Sequence, residues 1–271
     1  KNINVKNLYQ KKINLMLKNS DIIAVIPARL NSLRLPNKLL IKIDGTTILE
    51  HVINRLILSN VFSKIIVASP NKKIKKIIKK YKNVSFFKSK KKHFSGTSRS
   101  IEAVKNINFS KLIVVFADEP LIRPDEIKYF TNKICQDRKS NIWNATIDIK
   151  SKSELKDKSI VKCFLDKNNN IFNLKRYFKY ERKLKKDIKK SVGLVAFKFD
   201  IIKRISNLKK TNNEKIEQLN FINDKQILLK SIKLKHNFFS INTIDDYRKV
   251  KLEFKLNRIQ KKISTIYKIK N

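Results

Sequence analysis

Short apolar runs alternate with longer amphipathic segments along the first half of the chain. The runs are apolar at successive positions, as in strands that are buried on both faces of a sheet. They are IIAVI (22–26), KIIVAS (64–69), VSFF (84–87) and KLIVVF (111–116). The segments between them carry apolar residues at helical spacing: TTILEHVINRLILS (46–59), NKKIKKIIKKYK (71–82) and SRSIEAVKNI (98–107). This alternation predicts an α/β fold, in which a mostly parallel sheet is covered by helices on both sides.

The pattern changes from Trp143 onward, where strands with longer connections are expected. They are WNATIDI (143–149), the two halves of IVKCFLDKNNNIFNL (160–174) around a turn at 168–170, and SVGLVAFKFD (191–200). A helix over 212–230 and a closing strand over 231–241 follow. The last helix is predicted to begin at Thr243, because Asp246 three residues later completes an N-cap pattern with an acidic first turn.

Composition adds a strong positive charge to this picture. The 271 residues include 64 Lys and Arg against 22 Asp and Glu, which gives a net charge of +42. Such a charge attracts phosphate polymers, but the lysines run through the whole length rather than marking one face. We therefore favour compositional drift toward Lys, Ile and Asn over dedicated nucleic-acid binding, and we expect nucleic acid to bind only by nonspecific attraction.

Several classes of function are disfavoured. Cys135 and Cys163 lie far apart and lack metal-ligand spacing, which indicates structural thiols in a reducing cytosol. Three scattered histidines make no zinc site, and no apolar run approaches the length of a membrane span. The first twenty residues lack the continuous apolar core of a secretory signal, so a basic N-terminal extension is predicted there.

Three cations follow the first predicted strand. Pro27 ends that strand, so Arg29, Arg34 and Lys38 lie on a loop at its carboxyl end. Ligand sites of parallel sheets form at such ends. Arginine offers a planar fork for paired oxygens and lysine offers a compact charge, and both suit a polyphosphate.

Eight blocks of sequence, beginning at this loop, resemble one family. IPARLNSLRLPNKLL is similar to the opening signature of the 3-deoxy-manno-octulosonate cytidylyltransferases, which is close to IPARxxSxRLPxKxL and includes Ser32. The later blocks follow in the family's order over about residues 21–252. They are IDGTTILEHVINR, HFSGTSRSIEAV, FADEPLIRPDEI, VKCFLD, SVGLVAF, NEKIEQL and INTIDDYRKV. All three glycines of the chain, Gly45, Gly96 and Gly193, fall within these blocks, which indicates turns with positive φ or close backbone approach.

The resemblance implies a Rossmann-like fold of the nucleotide-diphospho-sugar transferase type. It also implies a reaction in which the anomeric hydroxyl of a sugar acid attacks the α-phosphorus of CTP and expels pyrophosphate. Arg29 and Lys38 would then hold the triphosphate, whose transition state gathers negative charge, and Arg34 between them would contact phosphate or substrate. Asp118 would hold Mg²⁺, whose other partners are phosphate and water oxygens.

The resemblance assigns further residues to the two substrates. Ser95, Gly96 and Thr97 match the segment that meets the cytosine base, and Arg176 matches an arginine near the sugar acid, whose carboxylate it could pair with. His93 and Glu119 are expected to support their loops. The domain boundaries implied are an extension (1–20), a cytidylyltransferase domain (21–252) with a β-rich dimerisation arm (about 160–197), and a helical tail (253–271).

Several residues of this chain differ from those of the family at the metal site, at the sugar pocket and on the later helix. Phe116 and Ala117 replace Gln-Gly before the Asp-Glu-Pro motif, and Asn242 replaces the second metal aspartate, leaving a carbonyl oxygen without its charge. At the sugar pocket, Ser191 replaces a histidine and Val195 a tyrosine. An acidic–amide pair on the later helix is expected to be lost at 220–221, as Asn-Phe.

These departures leave three outcomes open. The chain could be a cytidylyltransferase with a relaxed or shifted choice of sugar, an eroded enzyme, or a paralogue that has lost turnover. An active or once-active transferase is favoured, in the form of a cytoplasmic homodimer that uses Mg²⁺ to make CMP-Kdo for lipopolysaccharide. The competing hypothesis is that the chain is a binding protein rather than an enzyme, and that it uses its basic surface to bind nucleic acid.

Overall fold

The computed structural model describes residues 21–90, 93, 95–177, 187–208 and 216–270, so the predicted N-terminal extension lies outside the described residues. The strands are β1 Ile22–Pro27, β2 Lys42–Ile43, β3 Thr46–Thr47, β4 Lys64–Ser69, β5 Val84–Lys88, β6 Lys111–Val115, β7 Ile142–Asp148, β8 Lys162–Leu165, β9 Ile171–Lys175, β10 Ile188–Lys198 and β11 Leu229–Lys233. The α-helices are α1 Ile48–Ser59, α2 Lys72–Ile78, α3 Gly96–Val104, α4 Pro124–Gln136, α5 Lys152–Lys156, α6 Ile201–Asn207, α7 Gln218–Ile222, α8 Ile244–Leu256 and α9 Arg258–Lys270.

The main sheet has the strand order β11-β7-β10-β6-β1-β4-β5. β1 pairs in parallel with both β4 and β6, β4 pairs in parallel with β5, and β11 pairs in parallel with β7. β10 is antiparallel to its neighbours β6 and β7. The predicted mostly parallel α/β sheet is therefore confirmed. Since β10 is reversed, its first residues meet the carboxyl end of β6.

Alternate residues of β1 enter two separate apolar cores. Ile22, Ala24 and Ile26 pack with α1 and α4 on one face, while Ile23 and Val25 pack with α3 and α6 on the other. Helices on both faces account for the unbroken apolar runs of the central strands. β5 is an exception to this pattern. It was predicted to be buried on both faces, but it lies at the sheet edge and leaves Ser85 exposed.

β8 and β9 form a hairpin that extends the sheet from the start of β10. Its turn lies at the predicted asparagine run, where Asn169 has a φ of 61°. Asp166 Oδ1 accepts backbone hydrogen bonds from Asn168 (2.8 Å) and Asn170 (2.7 Å). This β-rich projection corresponds to the predicted arm, whose role in dimerisation stays a prediction.

Predictions for the last third of the chain need correction. Within the described part of 212–230 the helix covers only Gln218–Ile222, and the segment ends in β11. Leu229 pairs with Ile142 in the parallel ladder, so tertiary pairing overrides its helical spacing. The closing strand likewise stops at Lys233, and the last helix is divided at Asn257 into α8 and α9.

The start of α8 follows its sequence pattern. Thr243 Oγ1 accepts from the Asp246 amide (3.2 Å), and Asp246 Oδ2 accepts from the Thr243 amide (2.9 Å), which is a reciprocal cap. α9 then packs across the domain, where Gln260 Nε2 donates to the carbonyl of Leu121 (2.9 Å).

Cys135 and Cys163 form no disulfide, and burial raises the pKa of Cys163 to about 12. Among the helices that the structure describes, none is long and apolar enough to cross a bilayer.

Candidate active site

A cavity of about 1010 Å³ opens where the carboxyl ends of β1 and β6 meet the first residues of β10. Its volume suits a small-molecule ligand of considerable size. Ten of the residues predicted for the site line it: Arg29, Ser32, Arg34, Lys38, Ser95, Gly96, Asp118, Arg176, Ser191 and Asn242. Arg29 and Asp118, which the resemblance assigns to phosphate and to Mg²⁺, share this cavity.

Lys38 lies at the centre of three oxygen atoms. Its Nζ is 2.5 Å from Asp118 Oδ2, 2.7 Å from the carbonyl oxygen of Ile241 and 3.4 Å from Asn242 Oδ1. The Lys38 side chain is only 12% exposed. The sequence predicts a loop cation here, and the structure shows that its ammonium also joins the loop after β1 to β6 and to the start of α8.

Backbone hydrogen bonds fold the loop after β1 so that it directs Lys38 inward. The amides of Ser32 (2.9 Å) and Asn37 (3.0 Å) donate to the carbonyl of Leu30. Asn37 adopts a left-handed conformation with a φ of 55°, immediately before a short 3-10 turn at Lys38–Leu40. Arg29 and Arg34 remain exposed at the cavity wall. The loop thus presents three cations to one space.

Glu119 connects three segments behind the cavity. It is 2% exposed, and its Oε1 accepts from the amide of Gly193 (2.7 Å) and from Ser240 Oγ (2.9 Å). Burial and the neighbouring charge of Asp118 raise the pKa of Glu119 to about 7. The expectation that Glu119 supports its loop is therefore confirmed.

The start of α3 borders the cavity at another side. Ser95 is the N-cap, accepting from the Ser98 amide (3.0 Å), and its hydroxyl donates to Glu217 Oε1 (2.6 Å). Thr97 does not line the cavity, because its side chain is buried within α3, so its predicted contact with a base is not supported. His93 Nε2 lies 2.7 Å from Glu102, as expected for a residue that supports its loop.

Arg99, one turn into α3, adds to the positive potential here. It lines the cavity and is 8% exposed, and its Nε has no hydrogen-bond partner. Burial and the positive charge of Arg29 lower the pKa of Arg99. Two cations are therefore held close together, an arrangement that an anionic ligand would stabilise.

We call the acceptor end that part of the cavity which is formed by the start of β10, by α5 and by residues 157–161 and 176. Lys190 is 5% exposed there, and its Nζ lies 2.5 Å from Glu154 Oε1. Arg176 Nη1 donates to the carbonyl of Ser159 (3.3 Å). Both cations line the cavity.

Ser191 and Gln218 line the acceptor end, and Asn144 joins them from behind the cavity wall. Asn144 is fully buried; its Nδ2 donates to Ser191 Oγ (2.9 Å), and its Oδ1 accepts from Gln218 Nε2 (3.2 Å). Val195 is 2% exposed in the apolar core and does not line the cavity. The loss of a tyrosine at this position therefore removes nothing from the described cavity lining.

The structure corrects the expected loss of an acidic–amide pair. Phe221 is buried and packs edge-on against Phe197, with ring centroids 5.9 Å apart. Glu217 and Gln218, one turn earlier, line the cavity instead. An acid and an amide are therefore still present at this wall.

Several cavity residues were not identified from the sequence. They are Arg99, Glu154, Lys190, Glu217, Gln218 and Phe239. A buried lysine in a lysine-rich chain gives no local signal, since its burial depends on Glu154 from a distant helix. The block NEKIEQL contains the acid–amide dipeptide and could have identified Glu217 and Gln218.

Comparisons with known proteins agree on the family. The family model described as Cytidylyltransferase matches residues 23–242. The 3-deoxy-manno-octulosonate cytidylyltransferase of Elusimicrobium minutum is 30% identical, with 83% of this chain and 95% of that protein covered. The enzyme of the same name from Colwellia psychrerythraea is 27% identical, with 74% of this chain and 79% of that protein covered.

A solved structure shows the same architecture. The structure of CMP:2-keto-3-deoxy-manno-octonic acid synthetase complexed with CTP superposes with a TM-score of 0.77 at 25% identity, covering 86% of this chain and 98% of that one. The resemblance drawn from the sequence blocks is thus confirmed by sequence and by fold. The chain belongs to the cytidylyltransferase family, in the group of the 3-deoxy-manno-octulosonate cytidylyltransferases.

Proposed function

We propose that the chain transfers CMP from CTP to the anomeric hydroxyl of a 3-deoxy sugar acid, with 3-deoxy-manno-octulosonate as the first candidate, and releases pyrophosphate. One observation carries the proposal: Lys38, Asp118 and Asn242 converge at one wall of a cavity that Arg29 and Arg34 also line. Polyphosphate chemistry depends on such positioned charges. The relatives' names and the CTP complex of the similar structure supply the substrates.

Arg29, Arg34 and Lys38 would bind the triphosphate. The loop after β1 directs these cations into one space, and their charge offsets the negative charge that gathers on the phosphoryl oxygens in the transition state. Lys38 would exchange part of its contact with Asp118 for a phosphate oxygen. Buried Arg99 reinforces the positive potential beside Arg29.

The oxygen atoms around Lys38 Nζ also fit Mg²⁺. The donor set comprises the carboxylate of Asp118 and the carbonyl oxygen of Asn242, which are the hard ligands that Mg²⁺ prefers. No cluster of three His, Cys, Asp or Glu side chains occurs among the described residues, and Mg²⁺ in nucleotide sites commonly uses one or two carboxylates together with phosphate. When bound, the ion would polarise phosphate oxygens and neutralise their charge.

The sugar acid would occupy the acceptor end. Lys190 and Arg176 provide cations for its carboxylate, and Ser191 and Gln218 provide hydrogen-bonding groups for hydroxyls, held in place by buried Asn144 behind them. Burial of Lys190 strengthens its attraction for an anion, because the surroundings screen the charge less than water does. The acceptor hydroxyl then lies between these groups and the triphosphate.

The direct test is pyrophosphate release from CTP with 3-deoxy-manno-octulosonate and Mg²⁺. Turnover that disappears with EDTA and in Asp118→Asn supports the proposal. Folded protein that binds CTP but releases no pyrophosphate with any 3-deoxy sugar acid would identify a paralogue without turnover. Homodimer formation, a cytoplasmic location and a role in lipopolysaccharide synthesis remain predictions that belong to this function.

A further inference from the structure

Asn144 is a buried polar residue behind the cavity wall. It lies on β7 between the paired strands β10 and β11, its side chain is 0% exposed, and it does not line the cavity itself. A buried amide destabilises a fold unless its polar atoms are hydrogen-bonded. The partners of this side chain therefore indicate what it does.

Two of the three side-chain hydrogen bonds of this amide go to residues that do line the cavity. Nδ2 donates to the carbonyl oxygen of Ala145 (2.6 Å) and to Ser191 Oγ (2.9 Å), and Oδ1 accepts from Gln218 Nε2 (3.2 Å). Ser191 belongs to β10 and Gln218 begins α7, so one buried side chain joins two walls of the cavity. The register of β10 against β7 shifts between Ser191 and Val195, next to this contact, and such irregularities redirect side chains.

The carbonyl of Ala145 determines which way the amide of Asn144 faces. A carbonyl can only accept, so the NH₂ group must face it, and the second hydrogen of that group then points to Ser191. The Ser191 oxygen is therefore an acceptor toward Asn144. The hydroxyl hydrogen can be donated to the thiol of buried Cys163, which is a weak acceptor, or to an oxygen atom of a ligand, which is a stronger one.

The same amide sets the orientation of Gln218. Because Asn144 presents Oδ1 to it, Gln218 donates through Nε2, which directs its own carbonyl oxygen away from Asn144. The cavity wall thus offers a hydroxyl that donates and an amide carbonyl that accepts. A sugar hydroxyl can both accept and donate, so it matches this pair.

We propose that Asn144 is a positioning residue for the acceptor substrate: it holds Ser191 as a donor and the carbonyl of Gln218 as an acceptor toward the hydroxyls of the sugar acid. The inference rests on the proposed transfer to such an acid. Two side chains that are oriented before the ligand arrives need not be ordered by it, which lowers the entropic cost of binding.

The test is Asn144→Leu, which keeps a side chain of similar size and removes all three hydrogen bonds. We expect the KM for 3-deoxy-manno-octulosonate to rise about tenfold, because two ligand-binding side chains lose their orientation. The KM for CTP should stay unchanged. Thr146→Val is the matched control: Thr146 is also buried on β7, but it bonds to Ser231 (2.7 Å), and neither residue lines the cavity. This control should leave both KM values unchanged.

A second comparison separates positioning from a merely structural effect. In a chain that already carries Ser191→Ala and Gln218→Met, Asn144→Leu should cause no further rise in the KM for the sugar acid, since the side chains through which it acts are gone. If Asn144→Leu does not fold, Asn144→Ala takes its place in both comparisons.

Three results would overturn the inference and leave the transferase activity standing: an unchanged KM for the sugar acid in Asn144→Leu, an equal rise in both KM values, or the full rise in the doubly substituted chain. If the native chain shows no turnover, calorimetric binding of the sugar acid to the CTP-saturated protein decides. Binding about tenfold weaker in Asn144→Leu supports the positioning role although transfer fails. Equal binding, or no binding to the native chain, overturns the inference.

Discussion

The ammonium of Lys38 lies 2.5 Å from the carboxylate of Asp118, although eighty residues separate them along the chain. The pair joins the loop after β1 to the end of β6, and Nζ also reaches the Ile241 carbonyl at 2.7 Å. One lysine therefore bridges three segments that meet only in the folded protein. Asp118 also lies beside buried Glu119, whose pKa its charge raises. Lys38 offsets this negative charge.

We expect Lys38→Met to lower kcat at least about 100-fold, because a cation directed at developing phosphate charge is lost. The variant should also lose about 1–3 kcal/mol of unfolding free energy, since Asp118 is left partly buried without its partner. Pyrophosphate release and urea unfolding measure the two effects. Lys42→Met, at an exposed lysine of β2, is the control and should change neither. A fully active Lys38→Met would contradict the assignment.

Local patterns were enough to predict the elements that position the loop after β1. The apolar run of β1 ends at Pro27, and the cap formed by Thr243 and Asp246 is visible as a three-residue spacing. Gly45 has a φ of 81° and Gly193 lies against Phe116, so retained glycines did mark a positive φ and a close approach. These features depend on short-range sterics, which the sequence records directly.

Contacts between distant segments were not predictable in this way. Lys190 belongs to a segment rich in lysine, and only its pairing with Glu154 of α5 accounts for its burial. Leu229 has helical spacing but joins β11, because its backbone pairs with Ile142 of β7. The spacing of apolar residues is compatible with either a helix or a strand in such a segment. It cannot show that a strand will be favoured by pairing with a distant part of the chain.

Asn242 provides a test of the metal proposal. We expect Asn242→Asp to strengthen Mg²⁺ binding by roughly tenfold, because a charged oxygen replaces a neutral one beside Asp118. The Mg²⁺ concentration for half-maximal turnover should fall, and Mg²⁺ should raise the melting temperature of the variant more than that of the native chain. Asn83→Asp makes the same charge change at an exposed position outside the cavity and serves as the control. Equal Mg²⁺ responses in all three proteins would exclude Asn242 from the site.

The raised pKa of Glu119 predicts that the stability of the folded protein depends on pH. Its folded pKa of about 7 lies above the ordinary value of 4.5, so the folded protein binds the proton more tightly than the unfolded chain does. This contribution is fully present below pH 4.5 and is lost as the pH rises toward 7. In metal-free buffer, the stability of the native chain should therefore fall relative to that of Glu119→Gln by about 2–3 kcal/mol across this window. A constant difference between their urea-unfolding curves would refute the shift.

Lys190 and Lys189 are neighbours on β10 with different environments, and they form a matched pair of variants. Lys190 lines the cavity beside Glu154, whereas Lys189 pairs with Asp148 (2.7 Å) and does not line it. Lys190→Met removes a buried cation from the acceptor end, so the KM for the sugar acid should rise about tenfold or more, since charge-assisted bonds contribute roughly 1.5–3 kcal/mol. The KM for CTP should stay unchanged. Lys189→Met should leave both constants unchanged. A rise in both constants for Lys190→Met would indicate a general disturbance of the cavity, and no rise in either would remove Lys190 from carboxylate recognition.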